Sequence, residues 1–430
     1  MGDDRKLPTG RLGRFARLAG VGARTGASLL FGRGDDDVAL KAAEVLGTMR
    51  GLAAKLGQMV SYVDGLVPEE QRERYERAMG RLQSAAATSP APAIRRLVEE
   101  ELGAPVDQLF VEFEDRPFAS ASIGQVHRAR LEDGRAVAVK VQHPGIAAAM
   151  ESDLAGAGLL EGALGMLGMR SLGSEQILAD VRARFREELD YNLEARRQRA
   201  FIDLFADDPR IRIPAVIDAR SSAKVLTTTL VEGATLEAAC AADEAARVAW
   251  CRTMWRFGYL SPIIGGLFNA DPHPGNYFFH DDGAVTFLDF GCVQPAEPGR
   301  QELARDLHRA AVGRDDEAFE AVARRLMRTR GGEYEAKILA YMKEAFLPQR
   351  RSPFRITRPY VAGLIERLKS IALTSRGRGD GSTVPMPKGV FFMNRLQFGF
   401  FSVLARLDAE VDYAAVERDF LGLPLRTPPI

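Results

Sequence analysis

Asp271-Pro272-His273-Pro274-Gly275-Asn276, followed thirteen residues after Asn276 by Asp289-Phe290-Gly291, is the stretch that decides how this chain reads. Between the two runs, residues 276–279 and 284–288 are rich in β-formers and flank His280-Asp281-Asp282-Gly283. Asp-Gly between such arms is the strongest short-range hairpin signal. The hairpin returns the chain so that Asn276 and Asp289 meet. An acid, an amide five residues later and a second acid form the set that phosphoryl transfer uses. One carboxylate orients or deprotonates the acceptor, while the amide and the second carboxylate hold magnesium against the phosphates. Asp271 is therefore the candidate catalytic carboxylate, and Asn276 and Asp289 are the candidate metal ligands. Each fragment alone is common, and Asp271 ahead of Pro272 would pass for a turn residue. The joint spacing outweighs that reading.

A second hairpin of the same design, residues 126–131 and 135–141 about Glu132-Asp133-Gly134, carries Val137-Ala138-Val139-Lys140 on its return strand. A kinase-like fold places there the lysine that grips nucleotide phosphates. Only nine of the 58 basic residues are lysines, so one inside a Val/Ala strand stands out from the arginine background. Arginine would not reproduce its compact ammonium. A lysine in a cleft needs a carboxylate partner. Residues 174–205, read as one long helix, offer Glu187, Glu188, Asp190 and Glu194. Glu187, Asp190 and Glu194 stand at i, i+3 and i+7, which places them on one helical face. Alone, that stripe reads as a solvated face beside Arg182, Arg184, Arg186, Arg196 and Arg197. With Lys140 upstream, an ion pair is the better reading.

Ahead of the lysine, Pro117-Phe118-Ala119-Ser120-Ala121-Ser122-Ile123-Gly124-Gln125-Val126 lies in register with the phosphate-covering pattern G-x-G-x-x-G-x-V. Ala119 and Ala121 replace its first two glycines, and a Cβ there keeps the loop from approaching phosphates as closely as glycine permits. Ala119, Ala121, Ser122, Gly124 and Val126 are the candidate nucleotide contacts together with Lys140. Glu232, at the Glu232-Gly233 break after the strands expected over 211–217 and 224–231, joins them.

The rest of the chain frames these motifs. It has 430 residues, 46% hydrophobic and 27% charged, with 58 Lys+Arg against 58 Asp+Glu. That composition is globular, and its neutrality removes the basic excess of a default nucleic-acid binder. Three scattered cysteines, Cys240, Cys251 and Cys292, give neither a disulfide framework nor zinc-ligand spacing, and a reducing, cytoplasmic setting is expected. The N-terminus lacks a secretory pattern. Residues 154–169 contain Glu161 and residues 391–404 contain Arg395, so no transmembrane segment is expected. Residues 1–33 nevertheless hold seven Lys/Arg against Asp3 and Asp4, and Arg11, Arg14 and Arg17 alternate with Leu12, Phe15 and Leu18. Such a segment suits peripheral contact with an anionic membrane, with a solvated helix face as the alternative.

Leu52, Leu56, Met59, Val60 and Val63 mark an early amphipathic helix, and residues 84–92 read as a linker before a helix over 93–102 stopped by Gly103. Residues 145–169 form a helical insert, and helices predominate after Thr235. The expected organisation is a helical extension over 1–105, a small mixed lobe over 106–232 and a mainly helical lobe over 233–430, with the ligand cleft between the lobes.

Together the motifs resemble the UbiB/ABC1/ADCK family of atypical protein-kinase-like proteins. Lys55-Leu56-Gly57-Gln58 matches that family's KxGQ signature, and Glu188-Leu189-Asp190 its ExD element. The resemblance runs from about residue 45 to 295 and implies an α+β, protein-kinase-like bilobal fold with a helical N-terminal extension. By carry-over, Lys55 and Gln58 face the nucleotide site and meet Glu188 and Asp190. Lys140 pairs with Glu194, for which Glu188 competes, and Asp271, Asn276 and Asp289 take the catalytic and metal positions. The KxGQ helices lie, in the family, where a kinase receives its peptide, so phosphorylation of other proteins is not expected. The implied activity is that of an ATP/ADP-binding, Mg²⁺-dependent kinase-like ATPase serving isoprenoid-quinone or other prenyl-lipid metabolism, with a prenyl-lipid or quinone precursor as partner. Two alternatives stand beside it. One is a small-molecule kinase of the aminoglycoside or choline kinase type, and the other a non-catalytic, nucleotide-gated lipid-binding module. The sequence departs from typical protein kinases in having Asn269-Ala270 before Asp271 in place of His-Arg, and in lacking Ala-Pro-Glu after Asp289.

Overall fold

The computed structural model describes residues 88–120, 123–151, 186–297, 299–376 and 390–424. They divide into two units, one running up to Tyr191 and including Asp218–Thr227, the other made of Asn192–Ile217 and Thr228 onward.

In the first unit, α1 (Ala91–Leu102) starts with Pro92 in its first turn, where a missing N–H is tolerated. It ends at Gly103, whose φ of 76° lets its N–H cap the Glu99 carbonyl at 2.8 Å. The helix thus begins inside the expected linker, at Ala91, while residues 84–87 lie outside the described ones. Ile94 and Val98 are fully buried, and α1 packs on the sheet that follows α2 (Val106–Leu109). That sheet contains β1 (Glu112–Phe113), β2 (Ala119–Ser120), β3 (Gly124–Arg130) and β4 (Ala136–Gln142). β1 and β2 both pair with β3, which pairs antiparallel with β4 through the Glu132-Asp133-Gly134 turn. Val137, Val139 and Val141 of β4 are fully buried, and Ala138 and Lys140 lie on the opposite, half-buried face. α3 (Tyr191–Leu204) and β5 (Ile211–Arg212) leave for the second unit before β6 (Val225–Thr229) returns beside β4.

Two expectations change here. The single helix over 174–205 is interrupted: residues 186–188 are helical, Leu189 and Asp190 are not, and α3 restarts at Tyr191, while 174–185 lie outside the described residues. The Leu189 carbonyl accepts from Gln142 Nε2 at 2.8 Å, and Asp190 N closes a turn on Glu187 O at 3.1 Å. Glu187, Asp190 and Glu194 therefore do not share one helical face. The strand expected over 211–217 shrinks to β5 and one bridge, Val216 with Thr228, because Pro214 has no N–H for a ladder.

The second unit begins its helices with α4 (Leu236–Cys240) and α5 (Glu244–Ile263), each capped by the preceding Thr235 or Asp243 side chain. β7 (Leu267–Asn269), β8 (Tyr277–Phe279), β9 (Val285–Phe287) and β10 (Val293–Pro295) follow. β7 pairs with β10, and β9 lies between β8 and a parallel β5. The chain continues through α6 (Arg300–Gly313), α7 (Asp316–Met327), α8 (Gly332–Ala345) and α9 (Leu347–Arg350). It then runs through β11 (Phe354–Arg355), α10 (Arg358–Arg376), α11 (Val390–Leu407), β12 (Glu410–Val411) and α12 (Tyr413–Phe420). One aromatic-rich core joins these elements: Phe257 stacks on Phe287 at 3.7 Å between centroids, and Trp255 contacts Phe401 and Tyr413. Glu417 is completely buried there and accepts from Trp255 Nε1 (3.0 Å) and Gln349 Nε2 (3.2 Å), with His308 Nδ1 at 2.8 Å. The three cysteines are thiols, and burial pushes that of Cys251 far above its usual value. Among the described residues no helix is long and apolar enough to cross a membrane.

Candidate active site

The first unit arranges its candidate residues through strand register. Ala119 faces Val126 across β2 and β3, and Val126 faces Lys140 across β3 and β4. Cross-strand partners share a face. Ala119, Val126 and Lys140 thus form one row across three strands, opposite the buried valines. Lys140 Nζ lies 5.1 Å from the ring centroid of Tyr191, a side chain only 1% exposed. A cation over such a face is worth about 0.5–2 kcal/mol.

Gly124 is buried in β3 for a steric reason. A Cβ there would lie 2.5 Å from the Val141 carbonyl oxygen and 2.7 Å from Tyr191 Oη. The backbone of β4 and the tyrosine therefore close over a position that tolerates no side chain. Beside it, His127 is fully buried, its Nδ1–H donating to Glu114 O at 2.7 Å and its Nε2 accepting from Gln125 Nε2 at 2.9 Å. Burial holds this imidazole below its ordinary value, and the Glu114 carbonyl opposes that shift. Glu188 and Asp190 are half-buried at the Leu189 break that Gln142 pins. Ala121, Ser122, Lys55 and Gln58 lie outside the described residues, as does the basic segment 1–33.

The second unit brings Asp271, Asn276 and Asp289 together. Residues 274–276 form a 3₁₀ turn in which His273 Nδ1 accepts from Gly275 N at 3.1 Å, so His273 organises the loop. Asn276 Nδ2 then reaches back to Asp271 O (3.2 Å) and Oδ2 (3.4 Å). At the far end of the hairpin, Leu288 N donates to Asn276 O at 2.9 Å, so that Asp289 directly follows the residue paired with Asn276. Asp289 adopts φ 58°, a left-handed conformation costing an L-residue about 1–2 kcal/mol. Gly291 N donates to Asp289 Oδ1 at 3.0 Å and so holds that turn.

Helix α3 braces the same loop. Glu194, 5% exposed, lies near Gly291: a Cβ on that glycine would stand 3.7 Å from Glu194 Oε2 and 3.2 Å from Asp289 Oδ1. One turn on, Arg197 Nη1 donates to Gly291 O at 2.8 Å. Phe290 is fully buried with its ring 5.1 Å from that of Phe201. Glu232 is exposed, two residues before Ala234, whose backbone bridges to Phe279. Lys140 belongs to the first unit and Glu194 to the second.

Hard oxygen donors suit Mg²⁺, which is commonly held by one or two carboxylates and substrate phosphates. Asp289 supplies a carboxylate. Asn276 turns its Nδ2 toward Asp271 and keeps Oδ1 as the oxygen that suits a cation. The donor set therefore fits the ion that the sequence implies.

Four contributors carried no motif signal. They are Tyr191 beneath Lys140, Arg197 on the Gly291 carbonyl, Asn269, and Gly399 of α11 against Pro272. Asn269 is visible in sequence only as a departure from His-Arg-Asp. The others become legible only when distant segments meet.

The profile of the ABC1 atypical kinase-like domain matches residues 81–323. "Atypical kinase COQ8B, mitochondrial" of Rattus norvegicus is 29% identical over 95% of this chain and 80% of its own length. "Atypical kinase coq-8, mitochondrial" of Caenorhabditis elegans is also 29% identical, over 84% of this chain, which spans only 48% of that relative. Among solved structures, the erythromycin complex of Rv3197 from Mycobacterium tuberculosis aligns over 94% of this chain and 98% of that one, with 27% identity and a TM-score of 0.63.

Proposed function

The chain belongs to the ABC1 atypical kinase-like family and has a kinase-like α+β fold, and we propose that it binds ATP or ADP with Mg²⁺ and turns nucleotide over in support of isoprenoid-quinone or other prenyl-lipid metabolism. The observation that carries this reading is the loop that sets Asn276 on Asp271, joined to a hairpin whose return strand pairs Leu288 with Asn276 just before Asp289. Asp271 orients or deprotonates the acceptor, whether water or a small hydroxyl compound. Asn276 and Asp289 hold the cation, which neutralises charge on the phosphates. Lys140, steadied over Tyr191, offers a compact positive charge of the kind that grips nucleotide phosphates. Ala119 and Val126 in its row, with Ala121, Ser122, Gly124 and Glu232, are the residues assigned to the nucleotide in this reading. Glu188, Asp190 and Glu194 are the carboxylates assigned to this function, and Lys55 and Gln58 join them through the KxGQ signature. The lipid link rests on the family resemblance, as does the expectation that other proteins are not phosphorylated.

The test is nucleotide binding by full-length protein with and without Mg²⁺. In Asp289→Asn the metal-dependent gain in affinity is expected to disappear while metal-free binding remains. Metal dependence unchanged from the parent protein would refute the assignment. Turnover that an isoprenoid phenol stimulates, and that the same variant abolishes, supports catalysis over a purely gated binding module.

A further inference from the structure

Asn269 ends β7, two residues before Asp271, and is 8% exposed. Its amide is engaged on both sides. Nδ2 donates to the Asp289 carbonyl oxygen at 2.8 Å, and Oδ1 accepts from Asp271 N at 3.1 Å. The residue itself is immobilised, because β7 pairs with β10 to set Asn269 opposite Val293, and Ala270 N donates to Cys292 O at 2.8 Å. One side chain on a fixed strand end thus touches the backbone of both candidate acids.

We propose that Asn269 is a positioning residue, whose amide sets the separation and direction of Asp271 and Asp289 so that the cation and the acceptor are addressed together. This rests on the functional reading above and deepens it. Asp289 sits in a conformation that L-residues avoid, and its two ends are fixed separately. Gly291 N takes the carboxylate, and Asn269 takes the carbonyl. Without the second contact the peptide after Asp289 can rotate, which turns the carboxylate away from Asn276. The arrangement asks one side chain to donate in one direction and accept in the other. A carboxamide does this while neutral, and a carboxylate cannot donate. Leucine matches the shape with neither function. Histidine supplies one donor and one acceptor on a planar ring, at a different spacing.

The experiment compares Asn269→Leu, Asn269→His and Asp289→Asn in the full chain. It reads nucleotide affinity with and without Mg²⁺, and turnover. Asn269→Leu is expected to keep metal-free nucleotide affinity within about twofold, to weaken the Mg²⁺-dependent gain about tenfold, and to slow turnover by about 10–100-fold, the scale that an ångström of misplacement costs. Asn269→His is expected to recover part of the metal-dependent gain. In the double variant Asn269→Leu/Asp289→Asn no further loss of metal dependence is expected, because both changes act on one contact chain. Should Asn269→Leu fail to fold, the smaller Asn269→Ala replaces it, likewise removing both the donor and the acceptor without adding charge. A folded variant with unchanged metal dependence overturns the proposal, as does a loss of metal-free binding equal to the loss with Mg²⁺. If Asp289→Asn loses metal dependence and Asn269→Leu does not, the positioning role alone fails. If neither loses it, the functional reading fails with it.

Discussion

Gly399→Ala is the substitution whose outcome the packing fixes most tightly. Gly399 lies within α11, and a Cβ there would stand 2.3 Å from Pro272 Cγ and 3.2 Å from Pro272 Cβ. Carbon atoms are comfortable at roughly 3.5–4.0 Å, so more than 1 Å of retreat is required. The proline ring has no soft torsion with which to swing aside. The helix is held nearby, because Phe400, 2% exposed, is wedged against Gly258 of α5, where a Cβ would meet its ring at 3.1 Å. The displacement therefore falls on Pro272, next to Asp271. In an unencumbered helix the same change would stabilise by about 1 kcal/mol, whereas overpacking costs about 1–3 kcal/mol. The net expectation is a loss of about 1 kcal/mol and a larger fall, more than about tenfold, in Mg²⁺-dependent turnover. Both tryptophans, Trp250 and Trp255, are buried in the second unit, so fluorescence during urea unfolding reports on the unit concerned. Pro272→Ala removes the clashing Cγ, and combining it with Gly399→Ala is expected to show a favourable coupling of about 1–2 kcal/mol. A stability gain near 1 kcal/mol in Gly399→Ala, or strictly additive single effects, would refute the steric argument.

Two further substitutions test the two units separately. His127 is held below its ordinary value by burial. The unfolded chain therefore takes up a proton first as pH falls through about 6.5, and stability declines by up to about 1.4 kcal/mol per pH unit until the lower folded value is passed. The stability difference between wild type and His127→Gln is expected to narrow across that window and to be flat above it, and a difference flat from neutrality to pH 5 would contradict this. In the second unit, Glu417→Ala strands the Trp255, Gln349 and His308 nitrogens in a dry core and is expected to cost about 3–5 kcal/mol. Glu417→Gln keeps an acceptor and is expected to cost markedly less in urea unfolding, so equal losses would argue against the network.

Both hairpins were legible because their information is local. Asp133-Gly134 and Asp282-Gly283 specify turns from adjacent residues, with φ of 84° at Gly134 and 78° at Gly283, and the flanking strands then fix the register. The loop from Asp271 to Asn276 and the tripeptide at Asp289 were legible for the same reason. The break at Leu189 was not. Nothing in 186–191 announces a stop, and what takes the Leu189 carbonyl is Gln142, 47 residues earlier, which also reaches Ala223 O at 3.3 Å. A helical period counted across that point joins residues that the backbone separates.

Glycine shows where motif reading and packing part. Placed against a phosphate-loop pattern, Gly124 is the glycine that survives, and the pattern supplies close approach to phosphate as its reason. In the structure the constraint comes from behind: the Val141 carbonyl and Tyr191 Oη leave no room for a Cβ whether or not nucleotide is bound. Gly399 belongs to no motif, yet it abuts Pro272 more closely than Gly124 abuts either neighbour. A glycine's place in a pattern is therefore weak ground for assigning it to a ligand, and its distance to the nearest fixed atom is better ground. By that measure the fit of the Asp271 loop depends on a helix more than a hundred residues downstream, and substitutions in α11 belong among those expected to change turnover.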